Sequence, residues 1–318
     1  MTNLLDRKLL FVTGKGGTGK TSVAAALALL ASQHGKRTLI CESEPKGDVA
    51  AALETGPTKF VQREVSPGLF AMSMDTEASL REYLHLNLKV PVVGRIGPVA
   101  RAFDFVATAA PGVREILTVG KLCYEVREGH YDLIVVDAAP TGHIVGQLAA
   151  PQGINELVKV GLVRSQTNWM VDILADSGTT GLCIVTTGEE MPVSESIDLA
   201  GRIKRETVVD LACVVANRVL PELFGRGEQE VFDLLRARRQ TAALATAVGQ
   251  PQRTVTEVLE GARLAAAIRR NSVGHLENLR KGIDATVPLL FVPYVFARSY
   301  GIRAVRQISA ALSDELGY

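Results

Sequence analysis

A glycine-rich segment near the amino terminus carries the residue types that hold phosphate groups. Residues 14–21 read Gly-Lys-Gly-Gly-Thr-Gly-Lys-Thr, which fits the G-x-x-x-x-G-K-[ST] pattern, between an apolar run and a helical pattern. Glycines let backbone N–H groups turn towards phosphate oxygens, and the helix N-terminus adds its dipole. We predict that Lys20 reaches the β- and γ-phosphates and that the Thr21 hydroxyl binds Mg²⁺. The predicted nucleotide contacts are Gly14, Gly16, Gly17, Thr18, Gly19, Lys20, Thr21 and Ser22.

Two alternative interpretations of this segment are weaker. One alternative is a glycine-rich turn that binds no ligand. By chance alone, however, the eight-residue pattern should occur only on the order of 0.01 times in a chain of this length. A dinucleotide-binding fingerprint uses similar glycines, but it has no use for the lysine and threonine that end the pattern. Lys20 therefore favours a nucleoside triphosphate site.

A carboxylate at the end of a second apolar run is suited to a metal. Residues 131–137 form an apolar strand pattern that ends in Asp137. A buried acid is unfavourable unless it meets a cation or hydrogen bonds, and the carboxyl end of a strand beside the phosphate loop supplies both. We predict that Asp137 holds the water shell of Mg²⁺, with an ordinary strand-end aspartate as the alternative.

The elements that must position these groups indicate an α/β fold. Short runs that are apolar on both faces alternate with helical patterns, which is typical of a parallel sheet covered on both sides. We predict a doubly wound, mostly parallel P-loop NTPase sheet in a single domain, residues 1–318, with helical insertions at about 76–128 and 153–176 above the nucleotide. The clearest helix is residues 20–34, and the predicted strands are residues 9–12, 38–41, 69–74, 133–136, 182–185, 213–216 and 289–292.

Composition and charge narrow the function classes. The chain has 318 residues, 35 Lys and Arg against 34 Asp and Glu, and a net charge of +1, so no nucleic acid partner is expected. The basic clusters at 236–240 and 269–270 are interpreted as solvated helix faces. Four scattered cysteines without a CxxC exclude a zinc knuckle. No apolar run approaches the ~20 residues of a membrane span, and the first strand begins too early for a signal peptide, so we predict a cytoplasmic protein.

The second residue of the phosphate loop is also a lysine. Taken alone, Lys15 could simply point into solvent. The whole loop, GKGGTGKT, resembles the deviant P-loop of the ParA, MinD, nitrogenase iron protein and ArsA group. That resemblance implies a dimer in which Lys15 reaches the partner's nucleotide, chemically like an arginine finger.

The residues after Asp137 narrow the resemblance to the ArsA family. Residues 137–143, DAAPTGH, are similar to the switch II segment of that family, which includes arsenite-pump ATPases and the ATPase that targets tail-anchored membrane proteins. Residues 189–192 and 215–218 follow in the family's order, and single-domain actinobacterial-type members are the nearest match. The resemblance implies ATP hydrolysis with ATP/ADP and Mg²⁺ as cofactors. It also implies a switch at Pro140, Gly142 and His143, and adenine contacts from Asn217, Arg218, Val292 and Pro293. We interpret His143 as coupling the switch rather than transferring protons.

The segment after the second strand departs from the family pattern. Arsenite-pump and targeting members carry an aspartate just before a proline, where this chain has Glu44 and Pro45. We predict that Glu44 orients the attacking water. We also predict that Glu44 and Asp137 each contact Mg²⁺ through a water molecule. Asp48 is the alternative residue for orienting that water. If Asp48 does not have this role, we expect it to begin a helix.

Three function classes stay open. The favoured one is a dimeric ATP-dependent switch that drives a partner protein or membrane complex, including an anion exporter. The others are a ParA- or MinD-like positioning ATPase and a metabolic P-loop ligase. The predicted partner is a second copy or a paralogous ATPase, with a membrane or client protein beyond it and peripheral attachment at the inner face of the membrane.

Three more specific activities are less favoured. A nitrogenase-type reductase would need cluster-binding cysteines, which residues 138–146 lack. Arsenite binding would rest on Cys123 alone. Binding of a client helix would use an apolar stripe that is more often core: Leu157, Val160, Trp169, Met170 and Ile173.

Overall fold

One mostly parallel sheet organises the chain in the computed structural model, which describes residues 4–88, 112–157, 162–225, 227–235, 237–297 and 301–318. The strands are β1 (Leu9–Gly14), β2 (Thr38–Glu42), β3 (Arg63–Ser66), β4 (Leu69–Ser73), β5 (Leu133–Asp137), β6 (Thr180–Thr187), β7 (Leu211–Val219) and β8 (Leu289–Pro293). Their order is β3-β4-β2-β5-β1-β6-β7-β8, and β3 alone among them pairs antiparallel. The fold class and the seven predicted strands are confirmed.

Helices cover both faces of this sheet. In the described residues they are α1 (Lys20–Gln33), α2 (Asp48–Ala52), α3 (Thr76–Leu88), α4 (Val113–Glu128), α5 (Thr141–Leu157), α6 (Leu162–Ala175), α7 (Glu190–Glu206), α8 (Glu228–Leu235), α9 (Arg238–Val248), α10 (Gln252–Gly282) and α11 (Ile302–Leu316), with a short 3₁₀ turn at Leu4–Asp6. The predicted helix at residues 20–34 is α1, and it ends where Gly35 adopts a φ of 79°.

Alternate residues of each buried strand enter two different cores. In β1, Leu10 and Val12 pack with α1 and α11, whereas Leu9 and Phe11 pack with α4 to α7. Every residue of β1 is buried, which is why the strand reads as a continuous apolar run. Helices therefore pack on both faces of the sheet, and its carboxyl edge lies between the two helical layers.

The helices over the second core differ in extent from the predicted insertions. Helices occur in the described parts of 76–128 and 153–176, but the second helical stretch already begins at Thr141, before the predicted boundary. Pro151 lies inside α5 without ending it, and the bounds of the insertions stay a prediction. Residues 89–111, part of the first insertion, lie outside the described chain.

A helical arm follows β7, and the sequence patterns indicate only its basic clusters at 236–240 and 269–270, which they assign to solvated helix faces. We use this name for α8, α9 and residues 252–271 of α10. It has a small core of its own, formed by Phe232, Ala245, Val255 and Leu259. The rest of α10 packs beside the sheet: an added Cβ at Gly188, just after β6, would lie 2.8 Å from Ser272 Cβ. The arm thus extends beyond the carboxyl edge of the sheet.

Membrane-spanning helices were not expected, and the described residues contain no helix long and apolar enough to cross a membrane.

Candidate functional site

The phosphate loop is held in shape by glycines that have no room for a side chain. An added Cβ at Gly14, the end of β1, would lie 2.1 Å from the Val185 carbonyl oxygen. Gly19 adopts a φ of 89°, and its Cβ would lie 2.4 Å from Asn217 Nδ2. The Thr18 hydroxyl donates to the Lys15 carbonyl at 2.9 Å and closes the loop. These contacts bring the loop directly to the N-terminus of α1, as a phosphate cradle requires.

Thr21 and Asp137 meet at one corner of this loop. The Thr21 hydroxyl donates to Asp137 Oδ2 at 2.7 Å, and Asp137 Oδ1 is buried without a hydrogen-bond partner in the described structure. Burial raises the pKa of Asp137 to about 6, although the Thr21 hydrogen bond and the Lys20 charge lower it. Burial likewise lowers the pKa of Lys20, and the charge of Asp137 acts against that shift. An unpartnered buried oxygen beside a hydroxyl and an ammonium suits a cation and a phosphate.

The donor set at this corner fits magnesium better than a metal bound by protein alone. No group of three or more His, Cys, Asp or Glu residues in the described chain could hold a metal ion. Mg²⁺ usually takes one or two protein oxygens and completes its shell with water and phosphate oxygens. Thr21 would supply one such oxygen, and Asp137 would hold the metal through its water shell.

Residues from three strand ends line one small cavity at this corner. They include Glu44, whose carboxylate pairs with the Lys46 ammonium at 2.8 Å. The hydrogen bond from Lys46 lowers the pKa of Glu44, so its carboxylate is ionised. The lining residues are Lys20, Thr21, Glu42, Glu44, Lys46, Asp48, Asp137, Ala138 and Pro140. Glu44 is therefore close to the phosphate-binding groups, while Asp48 is the first residue of α2.

Glu42 is a buried acid of this cavity that the sequence patterns did not identify. It lies opposite Asp137 in the pairing of β2 with β5 and is 2% exposed. Its carboxylate accepts the Asp48 N–H at 2.8 Å and the Ser73 hydroxyl at 3.0 Å. Glu42 therefore fixes the segment that carries Glu44. An acid ending an apolar run, as Asp137 does, was the available signal.

Two of the four predicted adenine residues, Asn217 and Arg218, contact the phosphate loop itself. Asn217 is buried, and its Nδ2 donates to the Thr18 carbonyl at 2.8 Å. Arg218 adopts a φ of 57°, and its Nη1 donates to the Gly17 carbonyl at 3.0 Å. Pro293 lies opposite Val219 on β7, and the Val292 side chain is buried. The end of β7 lies beside the loop and the end of β8 pairs with β7, while the adenine contacts stay a prediction.

Lys15 is not among the described residues that line this cavity, and it pairs within its own chain. Its ammonium forms an ion pair with the Glu195 carboxylate on α7. The other Glu195 oxygen accepts the Thr141 hydroxyl at 3.3 Å. Glu195 was missed because 180 residues separate it from Lys15, and no local pattern reports such a contact.

The predicted switch residues lie at the start of α5. The Pro140 carbonyl accepts the His143 N–H at 2.9 Å and begins the helix. The His143 side chain is exposed, and its charge would favour the ionised form of Glu44 and lower its pKa. No described atom lies within 4 Å of a Cβ added at Gly142, so packing among the described residues does not demand glycine there. The segment that follows Asp137 thus faces the segment that carries Glu44.

The described residues bear on the less favoured sites in different ways. All four cysteines are buried, Cys123 among them. Met170 packs in the second core, and Trp169 and Ile173 pack partly against it. Trp169 and Met170 also line a cavity of about 390 Å³ among residues of α3, α4, α5 and α6, and client binding there stays a prediction. Val160 and the Leu157 side chain lie outside the described structure.

Comparisons with known proteins agree with this geometry. The family model described as anion-transporting ATPase matches residues 7–170. The chain is 32% identical over 225 residues to ATPase BagA of Mycobacterium tuberculosis, covering 67% of this chain and 66% of that protein. It is 23% identical to a protein of Halobacterium salinarum named as an arsenical pump-driving ATPase, covering 88% of this chain and 45% of the other. It is 32% identical to ATPase get3 of Schizosaccharomyces japonicus over 48% of this chain and 47% of that protein. The matched segments thus span 66% or less of these relatives.

Proposed function

Because this chain belongs to the anion-transporting ATPase family, we propose that it hydrolyses ATP with Mg²⁺ and acts as a dimeric switch on a partner protein or membrane complex. The observation that carries the proposal is the corner of Thr21 and Asp137, where Asp137 Oδ1 is buried and has no hydrogen-bond partner among the described residues. We take residues 1–318 as one ATPase domain.

The residues around the loop suit phosphoryl transfer to water. Glu44 orients a water for in-line attack on the γ-phosphorus while the bond from that phosphorus to the β–γ bridging oxygen breaks. Lys20 neutralises charge that develops on the phosphate oxygens. Thr21 and Asp137 would hold Mg²⁺, which when bound neutralises further negative charge. Lys15 of one subunit would act on the nucleotide of the other.

Loss of the γ-phosphate gives the switch its signal. The Glu44 segment and the start of α5 face each other across the cavity, so both would relax when the phosphate leaves. Helix α5 then carries the movement to α4, α6 and α7, against which it packs. The partner subunit is a second copy or a paralogous ATPase, and the driven partner is a client or membrane protein reached from the cytoplasm.

Two isosteric or truncating substitutions test the proposed activity. We expect Lys20→Ala and Asp137→Asn each to lower Mg²⁺-dependent ATP turnover by at least about a hundredfold, because both remove charge stabilisation of the transition state. Asp132→Asn is the matched control: Asp132 lies just before the same strand, at its opposite end, where it accepts the Arg37 N–H at 2.8 Å. Wild-type turnover in both test variants would show that this corner is not the active site.

A further inference from the structure

The ion pair of Lys15 joins three parts of the site through one carboxylate. Lys15 lies in the phosphate loop, Glu195 lies in the second turn of α7, and Thr141 is the first residue of α5. Glu195 gives one oxygen to the Lys15 ammonium and the other to the Thr141 hydroxyl. The Glu195 side chain therefore contacts both the lysine of the phosphate loop and the segment that follows Asp137.

Lys15 and Glu195 can be separated without unfolding anything. Their side chains are 28% and 36% exposed, so water and a second molecule can reach the pair. A partly exposed ion pair contributes little to stability, and a phosphate group offers a lysine a stronger charge. An ammonium bound to Glu195 cannot at the same time bind a phosphate on another subunit.

We propose that Glu195 is a positioning residue that holds Lys15 in its own subunit until the partner's nucleotide replaces it. This inference rests on the proposed dimeric function and names its regulation. When Lys15 crosses to the partner, Glu195 keeps only its bond to Thr141, so pairing of the subunits is reported directly to the start of α5. Glu195 thereby opposes dimerisation in the absence of ATP and couples dimerisation to the switch.

A zero-length cross-link measures the pair itself. In the nucleotide-free full-length protein, a carbodiimide should join the Lys15 amine to the Glu195 carboxylate, and peptide mass spectrometry should find that link. A mixture of isotopically heavy and light chains should show the link within one chain. Addition of Mg²⁺ and a non-hydrolysable ATP analogue should abolish it. A cross-link that is missing without nucleotide, or unchanged with the analogue, overturns the proposal.

Glu195→Gln tests the consequence for activity, because the amide keeps the shape and the Thr141 contact but loses the charge. We expect the protein concentration for half-maximal ATP turnover to fall by about two- to fivefold, with kcat little changed. In a Lys15→Ala background the same substitution should have no effect. Glu190→Gln, an exposed acid in the first turn of the same helix, is the control and should behave as wild type.

The two experiments separate the failure of this inference from that of the proposed function. If Glu195→Gln lowers kcat as strongly as Lys15→Ala, Glu195 serves the active dimer and does not hold Lys15 back. If the wild type hydrolyses no ATP, the proposed function fails, yet the cross-link still decides whether nucleotide releases Lys15 from Glu195.

Discussion

At the scale of single residues, the site depends on what burial does to Asp137. The folded chain raises the pKa of this carboxyl from 3.8 to about 6, chiefly because water is excluded around it. The stability contribution of the carboxyl is therefore complete below its ordinary pKa and is lost as the pH rises through about 6. Above that pH Asp137 is ionised in a site from which water is largely excluded. A bound cation would offset this unfavourable buried charge.

This shift predicts a pH dependence for magnesium. A proton competes with Mg²⁺ for the Asp137 carboxylate, so Mg²⁺ affinity in the presence of ADP should fall by about tenfold for each pH unit below about 6. Calorimetric titrations between about pH 5 and 8 measure it. Asp137→Asn should bind Mg²⁺ weakly and without this dependence, while Asp132→Asn should keep it. A constant affinity in the wild type over that range would contradict the assignment.

Asn217 has two roles to separate, one shown by its contacts and one predicted. Its side chain donates to the Thr18 carbonyl and accepts the Arg218 N–H. Asn217→Ala should therefore destabilise the folded conformation of the phosphate loop by about 1–3 kcal/mol. Affinity for inorganic tripolyphosphate should therefore fall, and affinity for ADP should fall further if the residue also contacts adenine. Asn271→Ala, at an exposed position of α10, is the control.

The outcome at Asn217 has two informative failures. Equal losses for tripolyphosphate and ADP would leave it only its role in the loop. An unchanged tripolyphosphate affinity would contradict the role in the loop.

Sequence distance decides which site residues could be predicted. Lys20 and Thr21 belong to one contiguous pattern, and Asp137 ends an apolar run, so each is visible locally. Glu195 approaches Lys15 only because α7 and α5 pack together over the sheet. Contacts of that kind are set by tertiary packing, which no local spacing encodes.

At the scale of elements, Gly188 controls how α10 packs beside the sheet. Gly188→Ala would bring its Cβ to 2.8 Å from Ser272 Cβ, and we expect a loss of about 1–3 kcal/mol in the free energy of unfolding. Gly261→Ala is the matched control, because nothing lies within 4 Å of its Cβ in the middle of α10. It should gain up to about 1 kcal/mol from helix propensity. Urea denaturation of both variants measures the two changes in the free energy of unfolding. Changes of the same sign would contradict this packing.

The predicted and missed elements differ in how they are buried. The seven predicted strands are apolar runs because most of their residues face one of two cores. Strand β3 was missed because it lies at the sheet edge, and its residues are exposed or half-buried. Helix α5 already begins at Thr141, in the segment that was interpreted as a switch. Local patterns thus report burial well and edges poorly.

At the scale of the whole molecule, the helical arm has a core apart from those of the sheet within the described part of the chain. Its small core is separate from the two large cores, so it should open without global unfolding. Phe232→Ala should cost about 3 kcal/mol in that core, which corresponds to roughly a hundredfold faster amide exchange in the arm. Exchange in α1, whose residues 23–31 are buried, should stay unchanged.

The control for the arm lies in the same helix. Leu234 is 67% exposed, so Leu234→Ala should leave exchange in the arm close to that of wild type. If Phe232→Ala speeds exchange equally in α1 and in the arm, the arm is not a separate folding unit.

The whole-molecule claim is that two subunits share each active site through Lys15. Mixing a Lys15→Ala protein with a Lys20→Ala protein tests it most directly, because a mixed dimer keeps one complete site: Lys20 from the first chain and Lys15 from the second. Each variant alone should be nearly inactive. Random mixing makes half of the dimers mixed, each with one site of two, so the mixture should recover up to about a quarter of wild-type ATP turnover. A mixture that stays as inactive as its parts, although the chains exchange, would contradict the account.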